Sequence, residues 1–291
     1  LPWHDPMRVA EQISVIDNLS GGRMILGLGR GLGNVEFEGF RKDQGEGRER
    51  FVEHAQLLLD GLERGYLEGG ETIKQPRRDI RPQPLKSFKG RTYAAAVSPE
   101  SMPIMARLGV GLLVIPQKPW DVVQQDFAIY RDVYEKENDC SAPQPVCAGF
   151  FFVDKDPGRA EEMAYKWIGA YYHTAMKHYE MAGDKFGSQK GYEFYKNVGK
   201  YIERHGLDGA AKDFAELMPW GTPKQVLEKI AYIREIIDMN ILSCNLSYAG
   251  MPHAEAERNM RCFAEYVLPE LKKWETNPIT DPADLNLRLA S

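Results

Sequence analysis

The sequence predicts an α/β fold in which helices cover both faces of a parallel sheet. Short apolar runs alternate with amphipathic helical stretches along the chain, the order produced when each strand is followed by a crossover helix. The runs, such as "VGLLVIP" and "PVCAGFFFV", are continuously apolar, as strands buried on both faces are. Five core strands are expected, near 24–29, 92–97, 111–116, 146–153 and 241–248. By number alone, five strands suit an open doubly wound sheet, because a closed (β/α)8 barrel needs eight.

The first element is a helix marked at both ends. In "HDPMRVAEQISVIDNLSGGR", Asp5 is the N-cap, Pro6 takes the first helical position and Gly21 closes the C-terminus. Val9, Ile13 and Ile16 give it an apolar face. "RMILGLG" is a strand, followed by "NVEFEGFRKDQGEG", in which no helix is expected directly behind the glycines. Residues 48–63 form a second amphipathic helix, and 65–90 read as loop, rich in Gly, Pro and basic residues. "RTYAAAV" is a strand and "SPESMPIMARLG" a short helix whose first turns Pro103 should disturb.

A strand, "VGLLVIP", and a helix over 120–137 follow, then the strand "PVCAGFFFV" and a long helix over 157–182. Residues 183–220 read as a helical excursion. "TPKQVLEKIAYIREIID" is a helix opened by a Thr222–Gln225 capping box with Pro223 behind the cap. "NILSCNLSYAG" is the last strand, 253–274 the last long helix and 275–291 an irregular tail. The whole, 1–291, is expected to be a single domain, with 160–217 as an insertion.

Composition excludes several classes. A formal net charge of −5 gives no electrostatic footprint for nucleic acid or an anionic membrane. The longest apolar run, Val110 to Pro116, is too short to span a bilayer. The four cysteines show no CxxC or metal-ligand spacing. Cys147 and Cys244 sit in apolar strands as ordinary buried thiols, which points to a reducing, cytoplasmic compartment. No metal site is expected.

The most distinctive stretch is "MILGLGRGLG". A dinucleotide fingerprint needs a third glycine three residues after the second, but Leu32 or Asn34 stands there, depending on the starting glycine. No Gly-Lys-Ser/Thr follows, so a P-loop is excluded too. What remains is a strand end carrying Gly29, Arg30 and Gly31. Small residues there let a flat ring or a phosphate lie on the backbone, and Arg30 offers a fixed fork to an anion. Taken alone, the segment is better explained as a glycine-tolerant turn with a surface arginine. "VSPES" is a second candidate: Ser98 and Pro99 suit a helix start, leaving Glu100 and Ser101 in the first turn, where N–H groups attract phosphate.

Together these segments resemble the luciferase-like, flavin-dependent monooxygenases, the bacterial luciferase superfamily. "LPWHDPMRVAEQISVIDNLSGGRMILGLGRG" resembles that family's stretch from the end of barrel strand 3 to strand 4. "GRERFVEHAQLLLDGL", "VSPESMPIMARLGVGLLV" and "WGTPKQVLEKIAYI" with "LSCNLSYAG" resemble later units, in the right order. The resemblance covers about residues 1–153 and 218–272 and implies a TIM (β/α)8-type barrel, here partial, with strands 4–8 present and the first three βα units absent. Strand 4 and strand 8 would then be bare edges.

The resemblance also implies reduced FMN as cofactor, a separate flavin reductase supplying it, O2, a small organic substrate and a homo-oligomer. It places Arg30, Glu100 and Ser101 at the flavin phosphate and Gly29 near the reactive edge of the ring, with Gly31 admitting the ring. The family's further threonine is not matched, since Ile104 stands there. Two alternatives accompany this expectation: hydride transfer with F420 on the same fold, and a non-catalytic flavin-binding or structural remnant.

Other candidates lie at strand ends. Gln117 could hydrogen-bond the polar edge of a flavin and Lys118 could meet an anion, beside Trp120; a solvated loop explains them as well. Tyr248 and His253 follow the last strand, and His253 is a weak catalytic candidate that reads better as a first-turn residue. His173 is a second weak catalytic candidate; its five-residue spacing from His178 argues against a metal pair. The aromatic-rich stretch holding Trp167, Tyr171, Tyr172, Tyr179, Tyr192 and Tyr195 is expected to form a lid that keeps water from the flavin.

Overall fold

A computed structural model describes residues 1–181 and 190–275. The expected tail beyond 275, and the 182–189 part of the expected lid, lie outside the described residues. The contacts group into two compact units: Leu1–Leu113 with Ile129–Pro143, and Val114–Ala128 with the described residues from Gln144 onward.

In the first unit, α1 (Pro6–Ser20) is capped as its sequence dictates. The Asp5 carboxylate accepts from the amides of Met7 and Arg8, and Gly21 ends the helix in the left-handed region at φ 65°. Its buried face differs from the expected one. Ala10, Ile13, Ser14 and Asp17 point inward, while Ile16 is 50% exposed. The reason is Asp17, drawn into the core by Arg91, which turns the neighbouring position outward. Strand β1 (Leu26–Leu28) follows, and a short helix, α2 (Asn34–Gly39), opens directly behind Gly33. This corrects the expectation of no helix there, although the glycine spacing still excludes a dinucleotide fingerprint.

Helix α3 (Gly47–Arg64) packs against α1 and buries Phe51, Ala55, Leu58 and Leu62. The expected loop over 65–90 contains a hairpin, β2 (Tyr66–Gly69) and β3 (Gln75–Asp79). Its sequence hid it: "QPRRD" is the polar, proline-bearing strand of an exposed ribbon. Strands β4 (Thr92–Ala95) and β5 (Gly111–Val114), joined through α4 (Ser101–Arg107), extend the sheet from β1. β1–β4 and β4–β5 are both parallel, and Gly27, Tyr93 and Gly111 stand in one register row. Pro103 disturbs nothing, because it occupies the first turn of α4, where no intrahelical N–H bond is lost. Helix α5 (Trp120–Asn138) anchors its second half in this unit through the Tyr130 hydroxyl, which donates to Val110 O at 2.7 Å.

In the second unit, β6 (Val146–Phe150) pairs in parallel with β9 (Ile241–Asn245). The strand expected over 146–153 breaks at Phe151. Its last two residues form β7 (Phe152–Val153), which pairs with β8 (Trp220–Gly221) instead. Helices α6 (Pro157–His178) and α7 (Tyr195–Glu216) pack together; α7 bends at Gly206, whose φ of 74° interrupts the helix. α8 (Pro223–Ile237) carries the expected capping box. The last long helix stops early, as α9 (His253–Tyr266) and a short α10 (Leu268–Leu271). Pro269 breaks it, since it cannot supply the amide a continuing helix needs. No described helix is long and apolar enough to cross a membrane.

Candidate functional site

Parallel pairing puts the C-terminal ends of β1 and β4 side by side, so the segments that follow them share one end of the first unit. Leu26 and Leu28 are buried while Gly27 between them is exposed. A Cβ built on Gly27 or Gly29 would meet nothing within 4 Å. On β4, Ala95 is exposed although its neighbours Ala94 and Ala96 are buried. The exposed positions at this strand end, Gly27, Gly29 and Ala95, are therefore glycine and alanine. In the row of Gly27 itself, Tyr93 leans over Gly111, where a Cβ would lie 2.6 Å from Tyr93 Cδ1. Burial raises the Tyr93 hydroxyl above its ordinary pKa, so it stays protonated in the row of Gly27.

Arg30 follows Gly29 directly and is half-buried. Gly31 is left-handed, at φ 87°. After β4, the chain turns through Ser98–Glu100 before α4 begins. The amide of Ser101 donates to Ser98 O at 2.9 Å, and that of Met102 to Pro99 O at 3.2 Å. Helix α4 therefore starts two residues later than Pro99, its expected first position, with Glu100 as an exposed N-cap residue. The Ser98 and Ser101 hydroxyls lie 2.8 Å apart. Two hydroxyls sharing one hydrogen bond keep a second proton to donate. The structure thus gathers Gly29, Arg30, Gly31, Glu100 and Ser101 at the adjacent ends of β1 and β4. It adds Gly27 and Ala95, which were not among the expected site residues, and the hydroxyl of Ser98, which was expected only to start the helix; the alanine run in "TYAAAV" was the available signal.

The remaining candidates belong to the second unit. Gln117 is exposed in the loop after β5. Lys118 is not held in reserve for an anion. It is ion-paired with the buried Asp126, and its ammonium lies 5.3 Å from the centre of the Phe194 ring. The Trp120 indole donates to Leu217 O at 3.2 Å. His253 is exposed at the first position of α9. His173 Nε2 lies 3.1 Å from Asp208 Oδ1, a surface contact between α6 and α7. Tyr171 and Phe214 from these helices close on Phe150 at the end of β6, with ring centres 3.9 and 6.3 Å from it. Tyr248 meets Phe150 edge-on at 5.1 Å and donates to Phe151 O at 3.1 Å. Side chains of α6 and α7 thus cover the end of that strand. Burial pushes the Cys147 thiol up to about 12, which keeps it unreactive. Among the described residues no cluster of His, Cys, Asp or Glu suits a metal ion.

The alkanal monooxygenase alpha chain of Photorhabdus luminescens is 24% identical over 282 residues, which cover 94% of this chain and 76% of the relative. Among solved structures, the oxygenating constituent of 3,6-diketocamphane monooxygenase from Pseudomonas putida, in complex with FMN, superposes with a TM-score of 0.62. That match has 16% identity and covers 93% of this chain and 77% of the other. An F420-dependent secondary alcohol dehydrogenase in complex with an F420–acetone adduct gives 0.65 at 13% identity, covering 91% and 75%. These likenesses show a shared fold, and the description "Luciferase-like monooxygenase" matches residues 1–238. A match over that much of the sequence means that the chain belongs to the luciferase-like monooxygenase family.

Proposed function

We propose that the chain is a two-component FMN-dependent monooxygenase that uses reduced FMN, supplied by a separate reductase, and O2 to oxygenate a small organic substrate. The observation that carries this reading is the floor of Gly27, Gly29 and Ala95, with open space where side chains would stand. A flat ring fits a surface without side chains. In this reading the five parallel strands take the places of strands 4–8 of a TIM barrel, whose sites lie at the C-terminal strand ends.

Arg30 would hold the flavin phosphate through its guanidinium fork. The spare proton of the Ser98–Ser101 hydroxyl pair would donate to a phosphate oxygen. Glu100 is exposed at the same turn, and a carboxylate beside a phosphate calls for the Arg30 guanidinium between them. Bound reduced flavin supplies two electrons, so that one atom of O2 enters the substrate and the other leaves as water. The protein's share is to seat the ring, hold the phosphate and keep water away. The similarity to an FMN-bound oxygenase and to alkanal monooxygenases supports this choice.

Titrating the protein with FMN and with F420 tests the reading. FMN binding is expected, weakened about tenfold or more in Arg30→Ala by loss of a charge-assisted hydrogen bond. Unchanged FMN affinity in that variant would remove Arg30 from the phosphate site. F420 binding without FMN binding would favour the second reading, hydride transfer, which the likeness to the F420-dependent dehydrogenase supports.

A further inference from the structure

Four aromatic rings gather beside the glycine turn, and the flavin reading uses none of them. Trp3 and Phe40 lie nearly parallel, at 10°, with ring centres 5.4 Å apart. His4 meets Phe40 at 5.8 Å and 60°. Phe37, wholly buried, stands edge-on to Trp3 at 5.3 Å and 86°. One side of the cluster is therefore anchored in the core. The other is open: Phe40 is 47% exposed and His4 is exposed.

We propose that Trp3, His4 and Phe40 wall the organic-substrate site and select a planar aromatic substrate over a straight-chain one. The proposal rests on the flavin reading above. Its location comes from Gly31. A Cβ there would lie 2.5 Å from Trp3 Cζ2, so the indole rests directly on the backbone of the turn that carries Arg30. Phe40 arrives on the same side because α2 opens immediately after that turn. The Phe40 amide donates to Glu36 O at 2.9 Å, and the Lys42 amide returns to Phe37 O at 2.8 Å, which fixes where the ring stands. The preference for aromatics follows from ring electrostatics. Stacked and edge-to-face arrangements reward a second ring beyond the area it buries, whereas an alkyl chain gains the area alone.

The test uses the full chain with 2-naphthaldehyde and decanal as probes. Calorimetry, with and without FMN, is expected to show naphthaldehyde binding about tenfold more tightly than decanal. Phe40→Leu keeps the apolar bulk and removes the ring; it should abolish that difference while leaving FMN affinity unchanged. Equal binding of the two aldehydes, tighter binding of decanal, or an unaltered preference in Phe40→Leu overturns the proposal. Failure to bind FMN, followed by flavin fluorescence, overturns the flavin reading, and the calorimetry without FMN still decides the aromatic preference.

Discussion

Arg91 and Asp17 form an ion pair sealed from solvent. Nη1 lies 2.5 Å from Oδ1, and the two side chains are 1% and 0% exposed. Arg91 also donates to the carbonyls of Ser87, Lys86 and Met24, and its guanidinium lies 3.8 Å from the centre of the Phe88 ring. Asp17 accepts from the amides of Leu85 and Lys86. The pair thus ties the end of α1 to the entries of β1 and β4, at the end of the strands opposite the candidate site.

Arg91→Met is expected to lower stability by about 3–5 kcal/mol, because it strands a buried carboxylate together with its partner carbonyls. The urea midpoint measures this, and a shift of less than a few tenths molar would contradict it.

The same pair sets an acid limit. Burial pushes the Asp17 carboxyl up, but the Arg91 hydrogen bond and charge, with the two amides, outweigh it and hold the pKa below its ordinary 3.8. A carboxylate with a depressed folded-state pKa stabilises the fold above its unfolded pKa. That contribution fades as pH falls through the folded value. Melting temperature should therefore drop steeply below about pH 4, and in Asp17→Asn this part of the pH dependence should vanish along with much of the stability.

The glycines of the site separate by role. Gly29 has open space where a Cβ would point, so Gly29→Ala should keep the melting temperature within about 2 °C while weakening flavin binding. Gly31 sits at φ 87° with Trp3 pressed against it, so Gly31→Ala should cost about 1–3 kcal/mol. Thermal melts and flavin titrations of both variants distinguish the two. Equal flavin affinity in Gly29→Ala would remove the floor as the ring's seat.

Thr222 shows what a local pattern can specify. Its amide donates to the Gln225 side chain at 2.8 Å, completing the capping box, and Thr222→Ala should cost about 1 kcal/mol by denaturant melt. The caps at Asp5, Gly21 and Thr222 and the five strands were all legible, because each depends on neighbours within a few residues. The Arg91–Asp17 pair was not: it joins residues 74 apart, and in "GRTYAAAV" an arginine looks like a surface residue. The β2–β3 hairpin stayed hidden because its anchors, Leu67 and Ile80, are two isolated apolar residues in a polar run. At the site, Arg30 was legible as a residue type. The open space beside Gly27 and Gly29, and the Trp3 ring against Gly31, are properties of packing that no spacing rule encodes.

Asn259 answers the break at Phe151, where β6 leaves its ladder. Its side chain accepts from Val153 N at 2.9 Å and donates to Phe151 O at 2.8 Å and Leu246 O at 3.0 Å, and it is 1% exposed. A single amide from α9 thus replaces the backbone partners that the strand loses on switching from β9 to β8. Removing it leaves the buried Val153 amide and Phe151 carbonyl and the part-buried Leu246 carbonyl to find partners, although Phe151 O keeps the Tyr248 hydroxyl. Asn259→Leu, close in volume, should therefore lower stability by about 2–4 kcal/mol through unmet hydrogen bonds rather than a cavity. Hydrogen exchange adds a local signature: the Val153 amide should lose protection while that of Ala148, inside the intact ladder, keeps it. Uniform loss across both would mean that Asn259 supports the fold generally and does not repair this break.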